Sequence, residues 1–233
     1  MAALFLLAGG LLVAALVPVV LDRLPVRLPR GDFWLAFSGA FITTTVLLHL
    51  FPEFHFSIKA IPFVVVGFFV QFFMEMWTRG IEHGHAAASP IVSGGRLWGL
   101  WIGLLVHSVL EGVSLISAGT LQAAAAGEMY LSVLIHKIPA ALILYFILKE
   151  SVASVSRRWG LFLAFAAASP VGMLIGWGMV DTHVQLLWAV GALVVGSFLH
   201  IGTSMLSEVG HHHQRSLSSI AAVLVGLLVA WMI

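Results

Sequence analysis

The amino-acid sequence predicts an all-α polytopic membrane protein: a bundle of eight transmembrane helices with both termini outside. Three observations carry this. The chain is 61% hydrophobic and only 9% charged, where a soluble domain has about 45–50% apolar and 25% charged residues. Turn residues and charges divide it into eight apolar runs, at about 2–21, 33–51, 60–78, 97–119, 128–149, 160–180, 184–206 and 216–233, each near the ~20 residues that cross ~30 Å of hydrocarbon. The basic residues fall on alternate loops. Those after runs 1, 3, 5 and 7 contain or border Arg23, Arg27, Arg30, Arg79, Arg96, Lys149, Arg157, Arg158 and Arg215, and the others offer only Lys59. Basic loops stay cytoplasmic, which fixes the orientation.

The connections are short, so residues 1–233 read as one transmembrane domain with antiparallel neighbours. The first run has no basic flank and no clear cleavage site, which makes it a retained span and not a signal peptide. A formal net charge of +1 with no basic block argues against nucleic acid as a partner. With no cysteine, a metal would have to be held by nitrogen and oxygen.

Taken in order, run 1 carries no ionisable group. Run 2 ends on His49 and Glu53, one turn apart at its outer edge, where an interfacial cap and a pore entrance both fit. Run 3 pairs Gln71 with Glu75, suited to a helix-packing hydrogen bond. The loop after it holds Glu82-His83-Gly84-His85. Run 4 has a stripe of small and polar residues at helical spacing, Gly99, Gly103, His107, Glu111, Ser114 and Ala118, and run 5 a shorter one in Ser132, His136 and Ala140. Small residues let helices approach closely, as facing inner surfaces require. Run 6 holds Ser169-Pro170. Run 7 carries His200, Ser204 and Glu208 on one face, and its cytoplasmic loop holds His211-His212-His213, an internal triplet followed by a full span.

Runs 4 and 5 bear the chemistry. His107 and Glu111 project from one helix face, roughly 6 Å apart. His107 lies roughly 15 Å from the inner edge and His136 roughly 12 Å from the outer edge, so the two can meet near the midplane. Lys137 sits beside them, and Pro139 frees the carbonyl of Ile135 one turn back. Ionisable groups at this depth are costly and point to function. Two imidazoles and a carboxylate suit zinc and its first-row neighbours. Spacing alone leaves a structural cluster, with Glu111 accepting from both histidines, as an open alternative.

At these residues the chain resembles the ZIP (Zrt/Irt-like) family of divalent metal transporters, as a divergent member. His107-Ser-Val-Leu-Glu111-Gly112 is similar to the family's span-4 motif, and His136-Lys137-Ile138-Pro139 to the first part of its span-5 motif. Phe37-Ser-Gly-Ala-Phe41 with Leu47-Leu-His49-Leu-Phe-Pro52-Glu53 resembles span 2, and Gly67 to Glu75 span 3. Ser169-Pro170-Val-Gly172 resembles span 6 and Gly196-Ser-Phe-Leu-His200 span 7.

The resemblance implies a ZIP-like bundle forming a homodimer in the cell membrane (the inner membrane in a Gram-negative bacterium). It implies entry of divalent metal into the cytosol, zinc foremost, with iron, manganese or cadmium as further candidates. The metal is substrate, and no organic cofactor or enzymatic activity is implied. One group of helices, including spans 4 and 5, would slide against a scaffold containing spans 2 and 7. The metal ligands carried over are His107, Glu111 and His136. The second metal position departs from the family pattern, with Ser108, Lys137, Ala140 and Ser169 where ligands are expected, so one metal per protomer is expected, with Lys137 standing where the second ion would sit. His200 is the first choice for an auxiliary ligand, and His83, His85, His211, His212 and His213 are candidates for cytosolic metal capture. The competing functions are a metal-dependent intramembrane hydrolase, which lacks a His-Glu-x-x-His motif and a separate general base, and a non-transporting metal-binding member.

Overall fold

A computed structural model describes residues 2–23, 31–53, 59–78, 92, 94–121, 123–211 and 217–233. Among them the only regular structure is helical, in eight rods. These are α1 (Ala2–Leu21), α2, α3 (Ile61–Thr78), α4 (Gly95–Leu121), α5 (Ala123–Ser151), α6 (Val155–Met179), α7 (Val184–His211) and α8 (Leu217–Met232). The second rod is composite: an α-helix over Gly31–Thr45, a π-helical turn over Val46–Leu50 and a last turn over Phe51–Glu53. Five rods are long and apolar enough to cross a membrane, and α1, α3 and α8 are shorter apolar helices. Large apolar side chains such as Phe69, Phe73, Leu174 and Leu228 lie exposed on the outside, as lipid-facing residues must.

Several helices extend past their apolar runs. Between runs 4 and 5 the chain reads Gln-Ala-Ala-Ala-Ala, and alanine is the strongest helix former, so α5 begins at Ala123. Pro18, Pro139 and Pro170 all lie inside helices. The π turn has no signal in the hydrophobic pattern. It places His49 so that its Nε2 lies 2.8 Å from the Ala230 carbonyl on α8 and its Nδ1 lies 3.2 Å from Glu128 on α5.

The helices pack as two bundles, α1, α4, α5 and α6 in one and α2, α3, α7 and α8 in the other. Glycines set several of the contacts within each. A Cβ on Gly112 of α4 would land on the Ser169 carbonyl oxygen of α6, and one on Gly172 of α6 on the Val109 carbonyl of α4. In the second bundle Gly67 of α3 abuts the Leu193 carbonyl of α7, and Gly196 of α7 abuts the Val64 carbonyl of α3. Gly39 of α2 meets Met205 and Gly202 of α7 in the same way, and Gly226 of α8 meets the Phe37 carbonyl of α2. Backbone approach this close tolerates no side chain. Across the two bundles the contacts are softer, and a Cβ on Gly103 of α4 would meet only the terminal methyl of Met74 at 3.1 Å.

Both ends of the molecule are tied. At the end bearing Asp22, Lys149 Nζ lies 2.8 Å from both carboxylate oxygens and Tyr145 donates to the same group at 2.9 Å. The hydrogen bond from Lys149, followed by that from Tyr145, holds the Asp22 carboxyl below its usual range. Val92 N–H donates to Ser151 at 2.9 Å, and Arg157 lies 5.4 Å over the Trp98 ring, bringing the start of α4 to the same end. Arg23, Arg96, Lys149, Arg157 and Arg158 are thus gathered at one end, while His49, Glu128 and Ala230 mark the other.

The glycine contacts give a stability test. Gly112→Ala should lower the thermal midpoint in detergent, since overpacking costs about 1–3 kcal/mol. Gly99→Ala, with nothing within 4 Å of its Cβ, should be neutral or mildly stabilising, because alanine is favoured over glycine in helices by about 1 kcal/mol. Equal effects at the two positions would show that backbone approach is not what holds α4 to α6.

Candidate metal centre

Helix periodicity brings His107 and Glu111 to one face of α4, and the packing of α4 on α5 sets His136 against them. All three are buried, and each offers a ligand atom within 4.8 Å of the others. The imidazole rings stand nearly perpendicular, with centroids 5.5 Å apart. His107 Nε2 and Glu111 Oε1 approach to 3.0 Å, yet both are buried with no aligned hydrogen bond. Buried polar atoms left without such a bond are costly, and convergent ones describe a site suited to a cation. Donors ~2.1 Å from a shared ion stand roughly 3.4 Å apart in tetrahedral geometry, so loading would spread His107 and Glu111 slightly from their 3.0 Å approach and draw the more distant donor inward.

The other bundle closes the site with a hydrocarbon wall. The Phe198 ring of α7 is fully buried, with its centroid 6.3 Å from the His107 ring and 6.2 Å from the His136 ring. The cluster therefore lies on one bundle and faces the other.

Next to it is a second compartment, built around Lys137, which is 1% exposed. Its ammonium donates to Ser108 Oγ at 2.7 Å and Ser169 Oγ at 2.9 Å, and lies 3.6 Å from Glu111 Oε2. Ser169 in turn donates to the Ser108 carbonyl at 2.9 Å. The Phe165 ring lies 4.3 Å from the ammonium, in cation–π range. Ser108, Lys137 and Ser169, singled out as departures from a metal-ligand pattern, are thus in mutual contact. Ala140 is buried and offers no ligand atom.

His200 lies elsewhere. Its Nε2 is 2.6 Å from Glu75 Oε2 on α3, its ring packs edge-on against Phe68 and Phe72, and Ser204 donates to the other Glu75 oxygen at 2.6 Å. Glu75 is the packing hydrogen-bond acceptor its sequence position suggested, and His200 is its partner. His200 is one turn beyond Gly196 and Glu75 two turns beyond Gly67, the glycines that seat α3 on α7, so that contact sets the pair. The sequence reading did not pick out Glu128, the partner of His49, or Phe198; no local spacing announces either. His83, His85, His212 and His213 lie outside the described residues, as does the side chain of His211.

A protein-family model described as ZIP Zinc transporter matches residues 82–233. The chain is 28% identical over 188 residues to zinc transporter ZIP9-B of Xenopus laevis, an alignment covering 71% of this chain and 61% of that protein. It is 29% identical over 168 residues to zinc transporter ZIP9 of Micropogonias undulatus, covering 66% and 53%, and 30% identical over 148 residues to zinc transporter ZIP9 of Macaca fascicularis, covering 55% and 63%. The aligned region thus spans between half and two thirds of each of these relatives. The family match takes in α4 to α8 and with them every residue of the buried cluster; this multi-pass membrane protein belongs to the ZIP zinc transporter family.

Proposed function

We propose that this protein carries divalent transition-metal cations across the membrane, zinc foremost, through a site formed by His107, Glu111 and His136. The observation that carries the reading is the convergence of these three buried ligand atoms on one helical bundle at its face with the other. Two imidazoles and one carboxylate leave a coordination position for water. Three ligands load an ion yet release it more readily than a closed set of four. Family membership and relatives named as zinc transporters support the substrate class. The gathering of basic residues at one end supports cytoplasmic placement of that end; inward transport and residence in the cell membrane belong to the same proposal. A homodimer is part of the same reading.

We further propose one metal ion per protomer. Lys137 places a cation among Ser108, Ser169 and Glu111, and those two serines offer only neutral oxygens. Unit charges at ~4 Å interact by about 4 kcal/mol at an effective dielectric of 20, and a dication doubles that repulsion. The ammonium provides positive charge beside the first ion without needing ligands of its own.

Three measurements test this reading. Proteoliposomes containing the wild type should accumulate zinc from a panel of divalent metals, and His107→Ala should reduce the rate at least about tenfold, a loss of ~1.4 kcal/mol of transition-state stabilisation. Absence of flux in a folded, zinc-binding wild type would reject transport.

Calorimetric titration of zinc into a chain with His83, His85, His211, His212 and His213 replaced by Ala should give a stoichiometry near one per chain, falling towards zero when His107→Ala and His136→Ala are added. A value near two before those additions would overturn the role given to Lys137.

For orientation, the chain contains no cysteine, so single substitutions report cleanly. Arg157→Cys should react with an impermeant thiol reagent only after cells are opened, and Lys59→Cys in intact cells. The reverse pattern would invert the topology.

A further inference from the structure

A second site lies at the basic end, away from the metal cluster. The last turns of α5 and the first turns of α6 enclose a cavity of about 110 Å³ lined by Tyr145, Lys149, Val155, Arg158, Trp159 and Phe162. Its two cations are spent differently. Lys149 is neutralised by Asp22, whose two oxygens it meets at 2.8 Å, and Tyr145 uses the same carboxylate. Arg158 has no acid. Its guanidinium makes one long bond, from Nη1 to the Lys149 carbonyl at 3.3 Å, and its Nε is buried without a hydrogen-bond partner. A guanidinium offers five donors in a fork matched to phosphate or carboxylate oxygens, so most of this one's capacity is unused. The start of α6 adds the positive end of its dipole, with Ser154 accepting from Arg157 N–H and leaving further first-turn N–H groups unpaired within the helix.

The surroundings identify the kind of anion. Tyr145 and Trp159 border the cavity, and Trp98 and Trp101 stand at the same end on α4; Tyr and Trp collect at headgroup level. Next to the lining Tyr145 and Phe162 in sequence, Phe146 of α5 and Leu163 of α6 are exposed, 41% and 50%, as side chains turned to lipid are. A small anion from water would use the cavity but not those apolar side chains. An anionic phospholipid uses both, with its phosphate in the cavity and its chains against α5 and α6. The volume leaves room for a tetrahedral anionic group, since about 10–15 Å³ on this measure already holds a water.

We propose that this cavity is a binding site for the phosphate group of an anionic phospholipid, one per chain, with Arg158 as its main contact and Tyr145 and Trp159 flanking the headgroup. The site joins the end of the helix that carries His136 and Lys137 to the start of the helix that carries Ser169. Its occupant would bridge two members of the bundle that holds the metal cluster. Nothing in the assignment depends on which metal is carried or on whether transport occurs.

The test is native mass spectrometry on the purified, delipidated full chain, titrated with phosphatidylglycerol, with phosphatidylcholine of the same chains, and with inorganic phosphate. One phosphatidylglycerol should be retained per chain, at least about fivefold more tightly than phosphatidylcholine, consistent with ~1 kcal/mol per basic residue at a membrane surface. Arg158→Gln should remove that preference, whereas Arg157→Gln, whose guanidinium lies over Trp98 outside this cavity, should keep it. Equal retention of the two lipids by the wild type, or an unchanged preference in Arg158→Gln, overturns the proposal. Displacement of the lipid by millimolar inorganic phosphate assigns the cavity to a free anion and overturns the lipid assignment. Should Arg158→Gln fail to fold, the wild type still decides. Phosphatidylglycerol brominated near the headgroup must quench more tryptophan fluorescence in the wild type than in Trp159→Phe, and equal quenching rejects the site.

Discussion

The arrangement depends on how one carboxylate is shared where α4 meets α5 and α6. Glu111 presents Oε1 to His107 at 3.0 Å and Oε2 to Lys137 at 3.6 Å. Buried ions are tolerable only when paired, and removing one member strands the other. Lys137 could not be 1% exposed without Glu111 and the two serines, and Glu111 could not face a hydrocarbon wall without positive neighbours. The two compartments are therefore one electrostatic unit. Helix α4 supplies the acid, α5 the lysine and second histidine, and α6 the serine.

That unit fixes which helices must keep their mutual register. Gly112 follows Glu111 directly, and Gly172 lies one turn beyond Ser169 with Val171 and Pro170 between them. The glycines that bring α4 against the backbone of α6 thus stand beside the residues that solvate Lys137. Close approach is a condition of the chemistry here: a wider spacing would take the Ser169 hydroxyl out of reach of the ammonium.

Much of this was legible in the sequence, for identifiable reasons. Rod positions follow from apolar run length, because a membrane imposes one dimension on every span. The meeting of His107 with His136 follows from counting residues along two antiparallel helices, and the contact of Lys137 with Ser108 and Ser169 from their place in a motif. What stayed hidden depends on helix rotation and on deviations from regular geometry. His200 sits on a polar stripe that the reading aimed at the metal cluster, and only the Gly196 contact with α3 reveals that its face turns to Glu75. The π turn at Val46–Leu50 leaves no periodic trace, so the His49–Glu128 pair could not be foreseen.

The uneven softness of the packing has a mechanical corollary. Inside the bundles, glycine brings backbone against backbone between α4 and α6, α3 and α7, α2 and α7, and α2 and α8; between bundles, apart from the His49–Glu128 pair at one end, the neighbours of the site are Phe198 and the Met74 methyl group, side chains that can re-rotamer. A layer of rotatable side chains between stiffer packings is where relative displacement would cost least, once the polar tie between His49 and Glu128 is released. The buried histidines lie against that layer, where a relative displacement of a few ångströms would change their exposure without altering the distances among them.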